Sequence, residues 1–229
     1  MIDSILNLEL TPFLLSFKLA SITTFILFII ALPISWFLSQ TKSKFKPFLE
    51  ALMALPIVLP PSVLGFYILI VLSPNSYLGA FLYNSFGIEL LFNFTGLVIA
   101  SCFYSLPFML QPLQSGFESL NKNMLEASYI SKKGKVVTLL RVALPNIKPS
   151  LLTAIVVTFA HTIGEFGVVL MIGGSIPEET KVASVAIYEM VEIMDYESAH
   201  IYSAIMLLIS FSVLLSVYMF NKKEKRFSI

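Results

Sequence analysis

The chain has 229 residues, of which 57% are hydrophobic and 13% charged, with a mean hydropathy of +0.86 and a formal net charge of +1. This composition excludes an ordinary soluble domain and predicts an integral membrane protein. The small net charge gives no indication of nucleic acid as a partner. A single cysteine, Cys102, excludes an intrachain disulfide and a cysteine cluster that binds metal.

Five long apolar stretches follow one another along the chain, and each has the roughly 20 residues that a helix needs to cross about 30 Å of hydrocarbon. They are residues 19–41, 51–72, 90–117, 149–171 and 198–221. Backbone polar groups find no water in lipid, so the crossings must be helical. We therefore predict an all-α integral membrane protein, one transmembrane domain over residues 1–229, with about five transmembrane helices and six as the alternative. A cleaved export signal is disfavoured, because residues 1–17 contain no lysine or arginine.

The basic residues predict the orientation in the membrane. Thirteen of the fifteen lysines and arginines lie in three segments, residues 42–46, 122–148 and 222–226. The alternating segments carry mainly Asp and Glu. By the positive-inside rule the three basic segments are cytoplasmic. The prediction is a multi-pass protein of the cytoplasmic (inner) membrane with its N-terminus outside and its C-terminus in the cytoplasm.

Three prolines interrupt the second stretch, "LPIVLPPSVLGFYIL". Pro60 and Pro61 fall near the middle of the bilayer, where each removes a backbone donor. Non-helical backbone at that depth is tolerated next to protein or a water-filled cavity. We therefore predict that Pro60, Pro61, Ser62 and Gly65 lie at or near a pathway through the membrane. A kink that only shapes helix packing is the alternative.

The cytoplasmic loop, residues 118–148, has the pattern of two short amphipathic helices. Gly134 is expected to end the first in the left-handed conformation, and Pro145 to end the second. Apolar residues in a cytoplasmic loop favour docking to another protein. Helices resting on the membrane surface are the alternative.

At these residues the loop resembles that of the permease subunits of binding-protein-dependent ABC importers. That family has Glu-Ala-Ala, then a glycine, then an apolar residue and Leu-Pro. The matching positions are Glu126, Ala127, Ser128, Val142, Leu144 and Pro145. Two positions depart from the pattern, since Ser128 replaces the second alanine and Lys132 replaces the glycine, with Gly134 two positions later.

Two further motifs narrow the resemblance. The stretches "LPIVLPPSVLGFYIL", residues 55–69, and "GEFGVVLMIGGSIPEET", residues 164–180, are similar to those of oxyanion permeases, most of all the molybdate or tungstate permeases. Sulfate/thiosulfate permeases, or those for another small solute, are the alternative.

The resemblance implies a subunit that works in a complex. Two copies of the chain would form a homodimer around the pathway, a dimer of ABC ATPase subunits would dock on the two 126–145 loops, and an extracytoplasmic substrate-binding protein would deliver the anion. The chain contains no G-x-x-x-x-G-K-[ST] loop, so ATP and Mg are expected on the partner ATPase and no cofactor on this chain. The chain itself is therefore not expected to be an enzyme.

A buried carboxylate lies in the fourth stretch. A continuous helix from Pro149 would place Glu165 in the outer third of the membrane. A bare charge is costly there, and Lys18 at a comparable depth is the predicted partner of a buried ion pair. Gly164 and Gly167 flank Glu165 and would allow close helix approach. We predict that Gly164, Glu165 and Gly167, together with Pro60, Pro61, Ser62 and Gly65, belong to the translocation pathway or its gate.

Two functions of other classes stay open at this stage. An intramembrane enzyme would need a site such as His161, His200 and Glu165, for which no catalytic or metal-binding spacing is found. A purely structural membrane anchor would not account for the loop motif.

Overall fold

The computed structural model describes residues 9–226, and every element in this range is a helix. In chain order the helices are α1 (Thr11–Gln40), α2 (Lys46–Val58), α3 (Pro61–Leu72), α4 (Tyr77–Phe86), α5 (Phe94–Glu118), α6 (Lys122–Ile130), α7 (Lys135–Thr138), a π-helix (Leu139–Ala143), α8 (Leu144–Asn146), α9 (Lys148–Ile163), α10 (Gly167–Gly173), α11 (Ala183–Glu192) and α12 (Tyr196–Arg226). The predicted all-α class is confirmed.

Three helices are long and apolar enough to cross a membrane: α1, α5 and the Tyr196–Ser216 part of α12. The number rises to five if each of two bent helix pairs counts as one crossing. This count agrees with the predicted five. The outward placement of the N-terminus rests partly on residues 1–8, which lie outside the described residues.

The second predicted crossing is a broken helix. Helices α2 and α3 are bent by 110° at the prolines. Leu59 and Pro60 have extended backbone, with ψ of 136° and 137°. A following proline ring disfavours the helical conformation in the residue before it, and both residues precede a proline. Pro56 remains inside α2. We call α2 and α3 together the bent arm.

The fourth predicted crossing is also interrupted, so the prediction of a continuous helix through Glu165 was wrong. Helix α9 ends at Ile163 and α10 begins at Gly167. The N–H of Glu165 donates to the carbonyl of Thr162, three residues back, at 3.3 Å. Such a tight turn ends the α-helical pattern, and Gly164 in the same turn is a poor helix former. At its N-terminus, α9 is bent by 83° from the helices of residues 135–146.

Helices α1, α5 and α9 pack against one another as the central bundle. At the end of the bundle next to residues 118–148, Phe117 of α5 and Leu38 of α1 belong to one buried core cluster, which we call the inner core cluster, and the ring of Trp36 meets that of Phe117 edge-on with centroids 5.1 Å apart. At the opposite end of the bundle a second core cluster joins α1 and α5 to α10 and α11; it includes Leu19, Leu97, Val168, Val169, Ile172 and Val185. The short helix α10 is thus part of the core.

Two elements contribute little to this core. Helix α2 has no buried side chain, and only 11% of the most apolar window of α12 is buried. Both are rich in exposed apolar residues such as Leu52, Val58, Leu207 and Phe211. Surfaces of this size and apolarity need lipid or another protein chain to cover them.

Candidate gate and coupling loop

The predicted gate residues of the two broken crossings lie against each other. Helix α3 packs on α10. A β-carbon added at Gly167 would lie 2.8 Å from Cβ of Pro61, and one added at Gly65 would lie 2.9 Å from Cβ of Met171. The absence of side chains at these two glycines therefore allows the close contact between the helices. The structure brings Pro61, Gly65 and Gly167 together as one contact.

The other predicted gate residues have different surroundings. Pro60 and Ser62 are exposed at the bend of the arm. A β-carbon at Gly164 would have no atom within 3.8 Å apart from the carbonyl oxygen of Ala160 at that distance. Gly164 therefore serves the turn between α9 and α10 and makes no close helix contact, contrary to the sequence-based expectation.

Glu165 lies in the break between α9 and α10 and is 4% exposed. Its backbone carbonyl accepts a hydrogen bond of 2.6 Å from the Ser184 hydroxyl of α11. Among residues 9–226, neither of its carboxylate oxygens has a hydrogen-bond partner. The hydroxyl of Ser101 on α5 lies next to the carboxylate without an aligned hydrogen bond. An ionised carboxylate in this position would be costly.

The predicted ion pair between Lys18 and Glu165 is not formed. Lys18 is on the exposed face of α1, and its ammonium lies 4.4 Å from the ring centroid of Phe94, a cation–π distance. Glu165 instead is buried next to Ser101 of α5. The two side chains therefore do not meet, because that of Lys18 is exposed and that of Glu165 is buried.

His161 forms a polar contact one helical turn before Glu165. Its Nδ1 lies 3.0 Å from the hydroxyl of Ser105, which also lies 2.9 Å from the hydroxyl of Thr162. The imidazole stacks on the ring of Phe108 with centroids 3.9 Å apart. His161 therefore joins α9 to α5. His200 is exposed on α12, and no group of three metal-ligating side chains occurs in the described part of the chain.

The segment of residues 174–182, between α10 and α11, stabilises the region around the break between α9 and α10. The Thr180 hydroxyl donates to the carbonyl of Gly173 at 2.7 Å, and Lys181 forms a salt bridge with Glu189 of α11. Partial burial acts to raise the pKa of Glu189, but the hydrogen bond and charge of Lys181 keep this pKa below its usual value. Together with the Ser184 contact, these bonds fix α11 next to Glu165.

The loop of residues 118–148 is the second candidate site, and we call it the coupling loop. The prediction that Gly134 ends the first helix in the left-handed conformation was wrong. Gly134 is extended, with φ −67° and ψ 163°, and Lys132 has the left-handed backbone, with φ 56°. A left-handed residue closes the end of α6, because the N–H of Lys133 reaches back to the carbonyl of Ser128 at 3.2 Å. Lys132 is the position at which the resembling loops have glycine.

Ser128 and Thr138 connect the two halves of the coupling loop. Their hydroxyls are buried and lie 2.9 Å apart. An alanine at position 128 could not form this hydrogen bond. The bond to Thr138 therefore explains why serine replaces the second alanine of the Glu-Ala-Ala pattern. Ala143 and Leu125 anchor the loop to the inner core cluster.

The rest of the coupling loop presents an exposed surface that is turned away from the helix bundle. Glu126, Ala127 and Pro145 are exposed, while Val142 and Leu144 are half-buried against the bundle. The exposed apolar side chains of the loop are Tyr129, Ile130, Val136, Val137 and Leu140. This arrangement leaves a mixed apolar and charged face available for a protein partner.

Sequence analysis missed a cluster of polar residues where the start of α2 meets the end of α5. Lys46 Nζ lies 2.7 Å from Glu118 Oε1 and 3.6 Å from Glu50 Oε1. The Gln114 amide donates to Glu118 Oε1 at 3.0 Å and also to Glu50 Oε1. We call these four residues the inner polar cluster. It borders a pocket of about 410 Å³ between the two helices.

Comparison with known proteins agrees with this architecture. Residues 16–226 match the family described as binding-protein-dependent transport system inner membrane component. The chain is 46% identical over 211 residues to the molybdenum transport system permease protein ModB of Azotobacter vinelandii, covering 92% of this chain and 93% of that protein. It is 32% identical over 214 residues to the probable sulfate transport system permease protein cysT of Chlorella vulgaris, covering 93% and 80%.

The fold is also found in a solved structure. A chain of a bacterial ABC transporter involved in the import of the acidic polysaccharide alginate superposes with a TM-score of 0.77 at 14% sequence identity, covering 93% of this chain and 79% of that one. The family match spans the bent arm, the gate contact and the coupling loop. The chain therefore belongs to the inner-membrane components of binding-protein-dependent transport systems, a family of multi-pass transport permeases.

Proposed function

We propose that this chain is the transmembrane permease subunit of an ABC importer for molybdate, with tungstate as a second substrate of the same site. The observation that carries the proposal is the 46% identity with a molybdenum permease over nearly the full length of both chains. The similarity to a sulfate permease, at 32%, makes sulfate or thiosulfate the alternative substrate. Molybdate and sulfate are both tetrahedral oxyanions, so a permease for either anion can have this fold.

The permease is proposed to act as a homodimer. Five crossings are few to enclose a pathway, and a two-fold axis between two copies would complete it. The exposed apolar surfaces of α2 and α12 support this arrangement, since neither is covered by the rest of the described chain. An extracytoplasmic substrate-binding protein would deliver the anion to the outer face of the dimer.

ATP hydrolysis is assigned to a separate ATPase dimer that binds ATP and Mg. The sequence of this chain has no phosphate-binding G-x-x-x-x-G-K-[ST] loop. The exposed face of the coupling loop, with Glu126, Ala127 and Tyr129, is the surface proposed to receive each ATPase. This requires the loop in the cytoplasm, with the C-terminus on the same side and the N-terminus outside, in agreement with the positive-inside rule.

The contact between α3 and α10 is proposed as the gate of the pathway. It joins the two breaks that lie within the crossings, and irregular backbone at membrane depth is tolerated where it lines a cavity or is packed in protein. Ionised Glu165 would repel an oxyanion. We infer that Glu165 supports the gate as a neutral group in this conformation and does not bind the anion, because its carboxylate is buried without a partner among residues 9–226.

Uptake of labelled molybdate by cells that carry the complete transporter tests the proposal. We expect saturable uptake that is lost on deletion of this chain, that tungstate competes for, and that an excess of sulfate leaves nearly unchanged. Equal competition by sulfate would favour the alternative substrate. Uptake that persists without the chain would contradict the proposed function.

A further inference from the structure

The bent arm is held to the rest of the chain differently at its two ends. At its outer end, α3 packs tightly on α10 through Gly65 and Gly167. At its cytoplasmic end, α2 lies against α5 without a single buried side chain, and only Leu49 and Met53 touch the inner core cluster from its surface. Polar contacts of the inner polar cluster therefore supply the specific connection there.

The charges of this cluster are placed against the local preference of each helix. Lys46 is the first residue of α2, and Glu118 is the last residue of α5. The helix dipole favours acidic residues at an N-terminus and basic residues at a C-terminus, so each charge is unfavourable within its own helix. The shortest contact of both charges is with each other, at 2.7 Å across the contact between α2 and α5.

Gln114 gives the pair a fixed geometry. Gln114 is 9% exposed, and its amide group donates to a carboxylate on each helix, that of Glu118 on α5 and that of Glu50 on α2. The pair is thus part of a network with a buried member and differs from an isolated surface salt bridge, which contributes little.

The same pair also reaches the coupling loop, because Glu118 is the first residue of that loop. Glu118 ends α5 three residues before Asn121, whose side chain caps the start of α6. A second pocket, of about 470 Å³, is lined by Lys46 and Glu118 on one side and by Glu126 and Tyr129 of α6 on the other. The inner polar cluster therefore lies between the loop proposed to receive the ATPase and the inner end of the bent arm.

We propose that the Lys46–Glu118 ion pair, oriented by Gln114 and Glu50, transmits movement of the coupling loop to the bent arm and through it to the contact between α3 and α10. Lys46 and Glu118 are positioning residues for transport, which act through the arm and do not touch the anion. This inference rests on the proposed function, because it requires an ATPase on the coupling loop.

The test uses the complete transporter, reconstituted in liposomes with its binding protein, and measures ATP hydrolysed per molybdate imported. Lys46→Gln and Glu118→Gln are each expected to raise this ratio at least about fivefold, the lower end of typical coupling between sites. Lys46→Arg keeps the charge and is expected to stay near wild type. The control is Lys44→Gln, which removes an exposed lysine two residues away.

The exchange of both charges separates transmission from simple stability. The double variant Lys46→Glu with Glu118→Lys keeps an ion pair between the helices and is expected to recover most of the wild-type ratio. Melting temperatures of the purified variants are measured alongside. If the single variants lose transport and ATP hydrolysis in equal proportion, or the exchange recovers nothing, the inference is overturned. A wild-type complex that imports no oxyanion would instead overturn the proposed function.

Discussion

Gly167 and Pro61 lie so close that no side chain fits between them. A β-carbon at Gly167 would be 2.8 Å from Cβ of Pro61, nearer than two carbon atoms pack in a protein interior. The contact joins the first turn of α3 to the first turn of α10. The break between α2 and α3 and the break between α9 and α10 therefore contact each other directly. Movement of the backbone at one break is expected to displace the other.

Substitution of the contact glycines tests this relationship. Gly167→Ala and Gly65→Ala are each expected to separate α3 from α10, at a cost of about 1–3 kcal/mol for overpacking, and to reduce uptake strongly. Gly164→Ala is the matched control in the same segment, since the nearest atoms to an added β-carbon are 3.8 Å away. Thermal unfolding of the purified protein and uptake by the complete transporter measure the two effects. Equal behaviour of all three variants would contradict the close contact.

The left-handed backbone of Lys132 makes a prediction for the coupling loop. Lysine in this conformation costs about 1–2 kcal/mol relative to a right-handed one, and glycine does not have this cost. Lys132→Gly is therefore expected to raise the free energy of unfolding by about 1 kcal/mol, and Lys132→Val to lower it.

Gly134→Ala is the control for this experiment. Gly134 has a negative φ and no atom within 4 Å of an added β-carbon, so alanine is expected to raise the free energy of unfolding by about 0.4–1 kcal/mol, through the unfolded chain alone. A loss of stability in Gly134→Ala would instead place the left-handed conformation at Gly134.

Glu165 is expected to tolerate loss of its charge. Its carboxylate is buried without a partner among residues 9–226, so Glu165→Gln keeps the shape and removes a group that is costly when ionised. Assembly with the ATPase and anion selectivity should match wild type, while Glu165→Lys should prevent assembly. Lys18→Gln is expected to be equally mild. Failure of Glu165→Gln together with Lys18→Gln would restore the ion pair that the sequence suggested.

Ser62 provides a direct test of the pathway. Its side chain is exposed at the bend of the arm. With the native Cys102 replaced by alanine, a cysteine at position 62 should react with a membrane-impermeant, water-soluble thiol reagent, and transported anion should slow the reaction. A cysteine at the fully buried Ser105 is the control. No reaction at position 62 would place this face of the bend against lipid or protein.

The outer salt bridge predicts a dependence of stability on pH. The pKa of Glu189 is lowered in the folded protein, chiefly by Lys181 acting against partial burial. Its stabilisation is therefore present above the usual glutamate pKa and is lost as the pH falls through the lowered value. Glu189→Gln should reduce stability by less than about 1 kcal/mol at neutral pH and by nothing in acid. Glu179→Gln, exposed on the same segment, should show no such difference.

Sequence reasoning succeeded where a single stretch of chain carries the information. The lengths of the apolar stretches predicted the crossings, and the prolines at positions 60 and 61 predicted an irregular second one. It failed where two distant side chains had to meet. Lys18 is exposed whereas Glu165 is buried, and the Lys46–Glu118 pair joins residues 72 positions apart.

The conformation at the end of α6 was missed for a different reason. Glycine has the strongest preference for a left-handed backbone, which favoured Gly134. The left-handed residue is instead the one that follows the end of α6. The hydrogen bond between the Ser128 and Thr138 hydroxyls helps to determine where α6 ends. Local preference was outweighed by packing between the two halves of the loop.

Lys132 also has a mechanical consequence. Glycine at a connection between two helices samples many backbone angles, whereas lysine samples few. The joint between α6 and α7 is therefore stiffer than a glycine joint would be, at some expense of fold stability. A displacement of α6 would therefore move α7 and the π-helix by nearly the same amount. The loop would respond as one rigid body to a small displacement by its partner.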